Sequence, residues 1–156
     1  MSSIIEGALR RKVTAAAEAA RPDLLLLVHR IPYPPNKGDK IRSYNLLKHL
    51  ATKYRVHLAT FVDDADDWQH VPAVEALCAS SHFVKLDPIK GKIRSAKALA
   101  TGKSLSLEYY RDADMKRWIA RTMRERGIAR VMTFCSVMAQ YADDFPAARR
   151  VIDFCD

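Results

Sequence analysis

Glycine is scarce in this chain, and its scarcity is informative. Only 5 of 156 residues are glycine, and the segment 29–42, the best candidate for a ligand loop, holds Gly38 alone. A dinucleotide fingerprint needs three spaced glycines between a strand and a helix. Gly91-Lys92 has no glycine upstream at the spacing of a phosphate-binding P-loop. NAD and ATP are therefore weak candidates. Cysteine is nearly as sparse. Cys78, Cys135 and Cys155 are odd in number, far apart and without a Cys-x-x-Cys pair. Buried thiols in a reducing cytoplasm are expected, with no disulfide framework. The histidines His29, His49, His57, His70 and His82 show no convergent spacing with cysteines or carboxylates, so no metal set is expected. No Gly-x-Ser-x-Gly elbow occurs, and the acidic turn DDADD at 63–67 reads as a solvated cap. No apolar run approaches the roughly 20 residues that span a bilayer, and no signal peptide is recognisable.

What is present is the balance of one globular domain, 49% hydrophobic and 28% charged. A net charge of +8 gives a surface that attracts anions. Nucleic acid, anionic lipid head groups and phosphorylated sugars all qualify, and charge does not choose among them. The basic residues are spread along several helices and do not interleave with aromatics on one strand face, so nucleic acid is not expected as a partner.

Residues 1–22 lack strand signals and read as a helical leader, rich in alanine and stopped by Pro22. Two fates are open to it. One is a partly frayed segment packed loosely on the domain. The other is a basic amphipathic helix on an anionic membrane, with Ile4, Ile5, Leu9 and Val13 beside Arg10, Arg11 and Lys12.

From residue 23 onward the apolar period alternates between strand and helix. Leu24 to Val28 is apolar on both faces, as a central parallel strand must be. Over 39–54, Ile41, Leu46, Leu47 and Leu50 share a helix face while Lys40, Lys48 and Lys53 point outward. Arg55 to Val62 alternates as a second strand. A helix at 68–79 presents Val71, Val74, Leu77 and Cys78, capped by the end of the acidic turn. His82 to Leu86 is the third strand, stopped by Asp87-Pro88. Helices at 93–100 and 112–126 close near Gly102 and Gly127, the second presenting Met115, Trp118, Ile119 and Met123. Strands at 130–135 and 150–155 flank another helix start at 136–141. The connections suit parallel crossovers, so an α/β, Rossmann-like three-layer sandwich with a mainly parallel sheet is expected over 23–156. A strand just before Asp156 with no helix after it suggests a fragment of a longer protein.

Open sheets of this kind bind ligands at the carboxyl ends of their strands. There, Pro32, Pro34 and Pro35 stiffen the loop after the first strand, Gly38 permits close backbone approach, and Asp39 can cap the helix. Lys37, Lys40 and Arg42 surround that helix N-terminus. An anion pocket and a proline-stiffened turn with solvated lysines fit these residues equally. His29 and Arg30 face the same crevice, His29 as a hydrogen-bonding group or proton shuttle, or as a partner for nearby backbone. Tyr109, Tyr110 and Arg111 suit either a sugar ring or rim packing. Ser136 and Gln140 reach the same edge as ligand donors, unless Ser136 caps its helix.

The segments HRIPYPPNKGDKIRSYNLLKHLA, VHLATFVDDADDW, LCASSHFVKLDP, SLEYYRD and RRVIDF together resemble the amino-terminal half of bacterial GT-B sugar transferases. The likeness is greatest to the group associated with exopolysaccharide and PEP-CTERM/exosortase loci. It covers 24–156 and is most specific in PPNKGDKIRS. It implies a retaining glycosyltransferase with two Rossmann-like domains across a cleft, of which this chain supplies the acceptor side. The donor diphosphate would lie against Asn36, Lys37, Gly38, Asp39, Lys40 and Arg42, with Gly38 nearest the phosphates. The acceptor, a glycan or lipid-linked molecule, would meet His29, Arg30, Tyr109 and Ser136. The nucleotide sugar is substrate, and no cofactor or metal is implied. The implied location is cytoplasmic and peripheral at the inner membrane, whose anionic surface suits the basic chain. The spaced glutamate pair of the family's other domain does not occur here, so turnover by these residues alone is not expected. The competing reading is a non-catalytic α/β module for anions or phosphosugars.

Overall fold

A run of four leucines must be covered on both sides, and it forms the middle of the sheet. The computed structural model describes residues 14–102 and 104–154, without the side chains of 99–101. The apolar and basic leader residues Ile4 to Val13 lie outside the described residues, as does Cys155. Residues 14–19 are helical. Five strands follow: β1 (Asp23–Val28), β2 (Arg55–Val62), β3 (Ser80–Lys85), β4 (Arg130–Phe134) and β5 (Arg149–Asp153). All pairings are parallel, in the order β3-β2-β1-β4-β5. The helices are α1 (Gly38–Ala51), α2 (Val71–Glu75), α3 (Pro88–Thr101), α4 (Leu105–Tyr109) and α5 (Ala113–Arg126), with 3-10 turns at Ala65–His70 and Ser136–Tyr141.

Strand alternation sorts the apolar residues into two cores, one on each face of the sheet. Leu25, Leu27, Ala59, Phe61 and Val131 share a core with Met115, Ile119 and Met123 of α5. Leu24, Leu26, Val28, Val56, Leu58 and Phe134 share the other with Leu47 and Leu50 of α1 and Val74 of α2. The result is a Rossmann-like three-layer sandwich with a wholly parallel sheet. No helix among the described residues is long and apolar enough to cross a membrane.

Local chemistry sets the ends of the helices. Asp87 accepts from the N–H groups of Ile89 and Lys90 at 2.9 and 3.2 Å, with Pro88 at the first helical position, so α3 starts five residues before its apolar pattern suggests. Asp112 likewise accepts from the Met115 N–H at 2.9 Å. The helix expected over 68–79 is instead a 3-10 turn followed by the short α2. Pro72 lacks the N–H that an unbroken α-helix would donate to the Trp68 carbonyl. The segment 136–141 is likewise a 3-10 turn, and Cys135, not Ser136, holds its cap position.

α1 is rotated from the expected face. Lys40, Ser43, Leu47 and Leu50 are buried, while Ile41 is 46% exposed. Expected to point outward, Lys40 instead extends its ammonium to Asp67, with Nζ 2.5 Å from Oδ2. A charged partner 27 residues away has overridden the hydrophobic register.

On the opposite face, His57 is fully buried, with Nδ1 2.6 Å from Ser80 Oγ and Nε2 2.7 Å from Asp23 Oδ1. It cross-links the amino-terminal ends of three adjacent strands. His57→Leu should cost about 1–3 kcal/mol by leaving Ser80 without this partner and Asp23 with only Arg55, 3.6 Å away. A shift of the urea midpoint measures this; an unchanged midpoint would show that the relay adds nothing to stability.

Candidate functional site

The strand order reverses between β1 and β4, so the loops leaving these strands diverge at the carboxyl edge, where sheets of this kind place a ligand crevice. His29, just beyond β1, stacks on Phe134 at the end of β4, with centroids 6.0 Å apart and planes 11° apart. Tyr110 meets His29 edge-on at 6.2 Å. Next to Phe134, Cys135 has φ +77° and ψ +130°, a conformation that costs a non-glycine residue roughly 1–3 kcal/mol. Its N–H donates to the Asp153 carbonyl at 3.0 Å. Strain therefore collects where the sheet changes direction.

His29 Nε2 lies 3.4 Å from Asp39 Oδ2, and Nδ1 is buried without a hydrogen-bond partner. Burial, opposed by the Asp39 carboxylate, holds the imidazole pKa below its ordinary 6.5. The ring is thus neutral at pH 7. A carboxylate facing Nε2 favours the proton on that nitrogen, which leaves Nδ1 as an acceptor. The unfolded chain takes up this proton more readily than the folded one. Stability from His29 is therefore complete above pH 6.5 and is lost as pH falls from there through the folded-state pKa. Urea titrations at several pH values should show this decline, and His29→Phe should flatten it while keeping the stack on Phe134. An identical slope in the variant would contradict the assignment.

Acidic partners hold the cations of this edge. Arg30 bridges α1 and the end of β2, with Nε 2.9 Å from Asp63 Oδ2 and Nη1 3.4 Å from Asp39 Oδ2. Arg42 reaches Asp153 at 2.8 Å, its guanidinium 5.9 Å from the Phe134 ring centroid. With Lys40 taken by Asp67, the expected ring of cations around the helix N-terminus is not formed. Arg30 is held by Asp39 and Asp63, Lys40 by Asp67 and Arg42 by Asp153, while Lys37 is exposed beside them. Asp39 is not a cap either; Lys37 holds the cap position without a side-chain bond. The acidic turn is only partly the solvated cap expected. Asp64 accepts from the Asp66 N–H at 3.0 Å, while Asp63 and Asp67 reach back to Arg30 and Lys40.

Asn36, Lys37 and Gly38 are exposed over the first turn of α1. A Cβ at Gly38 would meet nothing within 4 Å, and the backbone there is outside the left-handed region. Neither a turn nor close packing within the chain requires glycine at this position. Of the first-turn residues Gly38 is exposed, Lys40 is buried, and the Ile41 N–H already donates to the Lys37 carbonyl at 2.8 Å.

Tyr109 does not belong to this crevice. A Cβ on Gly91 would lie 2.7 Å from its ring carbons, so Tyr109 is packed against α3 and Tyr110 takes the place beside His29. Burial raises the Tyr110 phenol above its ordinary 10, so it remains a proton donor. Ser136 is half-buried at the same edge, at the start of its 3-10 turn. Gln140 is unavailable to a ligand, since its amide donates to the carbonyls of Leu107 and Val137 at 3.0 and 2.8 Å. Asp63, Phe134 and Asp153 were not singled out by motif, although each stands at the carboxyl end of a strand. Cys78 is chemically quiet, its thiol pushed up to about 12 by burial. Among the described residues, no group of three or more His, Cys, Asp or Glu side chains is arranged to hold a metal.

Fold and site together define an α/β protein of Rossmann-like topology with an aromatic and ion-paired cluster at its switch point. No protein-family model, curated protein or solved structure matched the chain.

Proposed function

We propose that this chain is the acceptor-side domain of a GT-B type retaining glycosyltransferase. It would serve transfer from a nucleotide sugar to a hydroxyl of a glycan or lipid-linked acceptor in exopolysaccharide synthesis. The observation that carries the reading is the exposed start of α1 at Gly38, close to the neutral His29 and within the segment PPNKGDKIRS.

Charge develops on the departing diphosphate as the bond to the sugar carbon breaks and one to the acceptor oxygen forms. Fixed helix-terminal amides suit that charge, because they need no reorganisation during the reaction. Tyr110 gives a sugar ring a surface to pack on. In this arrangement Arg30 positions the loop, bridging Asp39 and Asp63, and does not itself hold phosphate. Chemistry on nucleotide sugars would place the protein in the cytoplasm, peripheral to the inner membrane.

The test is release of nucleoside diphosphate by the full-length gene product from a panel of nucleotide sugars, with a glycan or lipid-phosphate acceptor. Turnover of at least one donor is expected. A folded protein that turns over none of them would sink the reading.

A further inference from the structure

Helix α3 is turned inside out. Its most buried positions carry small side chains: Gly91, whose absent Cβ makes room for the Tyr109 ring, and Ala98, 2% exposed. Its outward positions carry Ile89 and Ile93, 71% and 52% exposed. Ile89, Ile93 and the exposed Ala96 follow i, i+4, i+7 spacing and so form one stripe. An ordinary surface helix buries that stripe and turns its polar residues to water.

The flanks of the stripe are basic. At about 100° per residue, Lys90 and Lys97 fall on one side and Lys92 on the other. The helix contains no acidic residue, and its cap Asp87 lies 4.0 Å from the Lys90 ammonium. The inward side is fastened in place. Arg94 donates to the carbonyls of Glu108 and Tyr109 at 3.1 and 3.2 Å, and Ser95 Oγ donates to that of Leu105 at 2.9 Å. These bonds keep the isoleucines outward and hold Leu105, itself 43% exposed, beside the helix.

We propose that the outer face of α3 docks the protein on an anionic lipid bilayer. Ile89 and Ile93 enter the boundary between head groups and acyl chains, and Lys90 and Lys92 extend to the lipid phosphates. The side-chain chemistry favours lipid over a protein partner. Protein interfaces are enriched in aromatics and arginine and depleted in lysine, whereas this face combines isoleucine with lysine and has no aromatic. A symmetric contact with a second copy would bring the lysine flanks near one another. The proposal rests on α3 alone and stands whether or not the sugar-transfer reading holds.

Flotation of the full chain with vesicles of phosphatidylcholine, with and without phosphatidylglycerol, tests it. Binding is expected only when phosphatidylglycerol is present, and it should weaken with added salt. The double substitution Ile89→Glu with Ile93→Glu should lower partitioning by about tenfold or more. It should leave the thermal midpoint unchanged, because both side chains are mostly in water. Lys90→Gln with Lys92→Gln should weaken binding and reduce its salt dependence. Absence of binding by the unaltered chain would overturn the proposal, as would equal binding by the double isoleucine variant. A solution dimer that the isoleucine variant abolishes, without vesicle binding, would assign the face to a second copy and also overturn it.

Discussion

Lys40→Ala is expected to destabilise the protein by roughly 3–5 kcal/mol, the usual consequence of stripping one partner from a buried ion pair. The side chains of Lys40 and Asp67 are 3% and 9% accessible, and the contact joins the first turn of α1 to the 3-10 turn after β2. Without the ammonium, the Asp67 carboxylate stays in a poorly hydrated place with no countercharge. A domain of this size loses a few degrees of thermal midpoint per kcal/mol, so a fall of about 10 °C is expected. The double variant Lys40→Met with Asp67→Leu should recover most of that loss. Its two groups no longer need desolvation, and the attraction between them had only offset that cost. A single variant within about 1 kcal/mol of the parent would show that water reaches the pair and that it adds little.

Gly38→Val should behave in the opposite way, leaving the fold intact while lowering turnover by the full-length gene product about 100-fold. Nothing in the chain lies within 4 Å of a Cβ at this position, and the backbone is acceptable to any L residue. Valine is also no worse than glycine as a helix former. Its branched side chain would instead stand over the first-turn amides, in the space assigned to the donor diphosphate. Gly38→Ala should fall between the two. Steady-state rates and thermal midpoints for the series separate the two effects. Unaltered turnover in the valine variant would place the phosphates elsewhere.

The sheet was legible from the sequence because burial on both faces leaves strands such as Leu24–Val28 with no polar position. The limits of α5 were legible through Asp112 and Gly127, whose roles are local. The burial of Lys40 was not. Periodicity counts lysine as outward, and Asp67 meets it only in three dimensions. A stripe of isoleucines also reads the same whether it faces the sheet or solvent. Gly91 seated on Tyr109, with the Arg94 and Ser95 bonds, sets the direction of α3, and the Gly91 contact leaves the place beside His29 to Tyr110. The interruption at Pro72 was open to a stricter reading, since a missing N–H is visible in any sequence.

The measurement that most directly tests the placement of a donor diphosphate at Gly38 is amide hydrogen exchange of the full-length gene product, with and without its nucleotide-sugar donor. The glycosyltransferase reading predicts slowed exchange over Asn36 to Arg42, greatest at Gly38 and Asp39, and no change along α3. Donor binding that leaves exchange over Asn36 to Arg42 unaltered would contradict it.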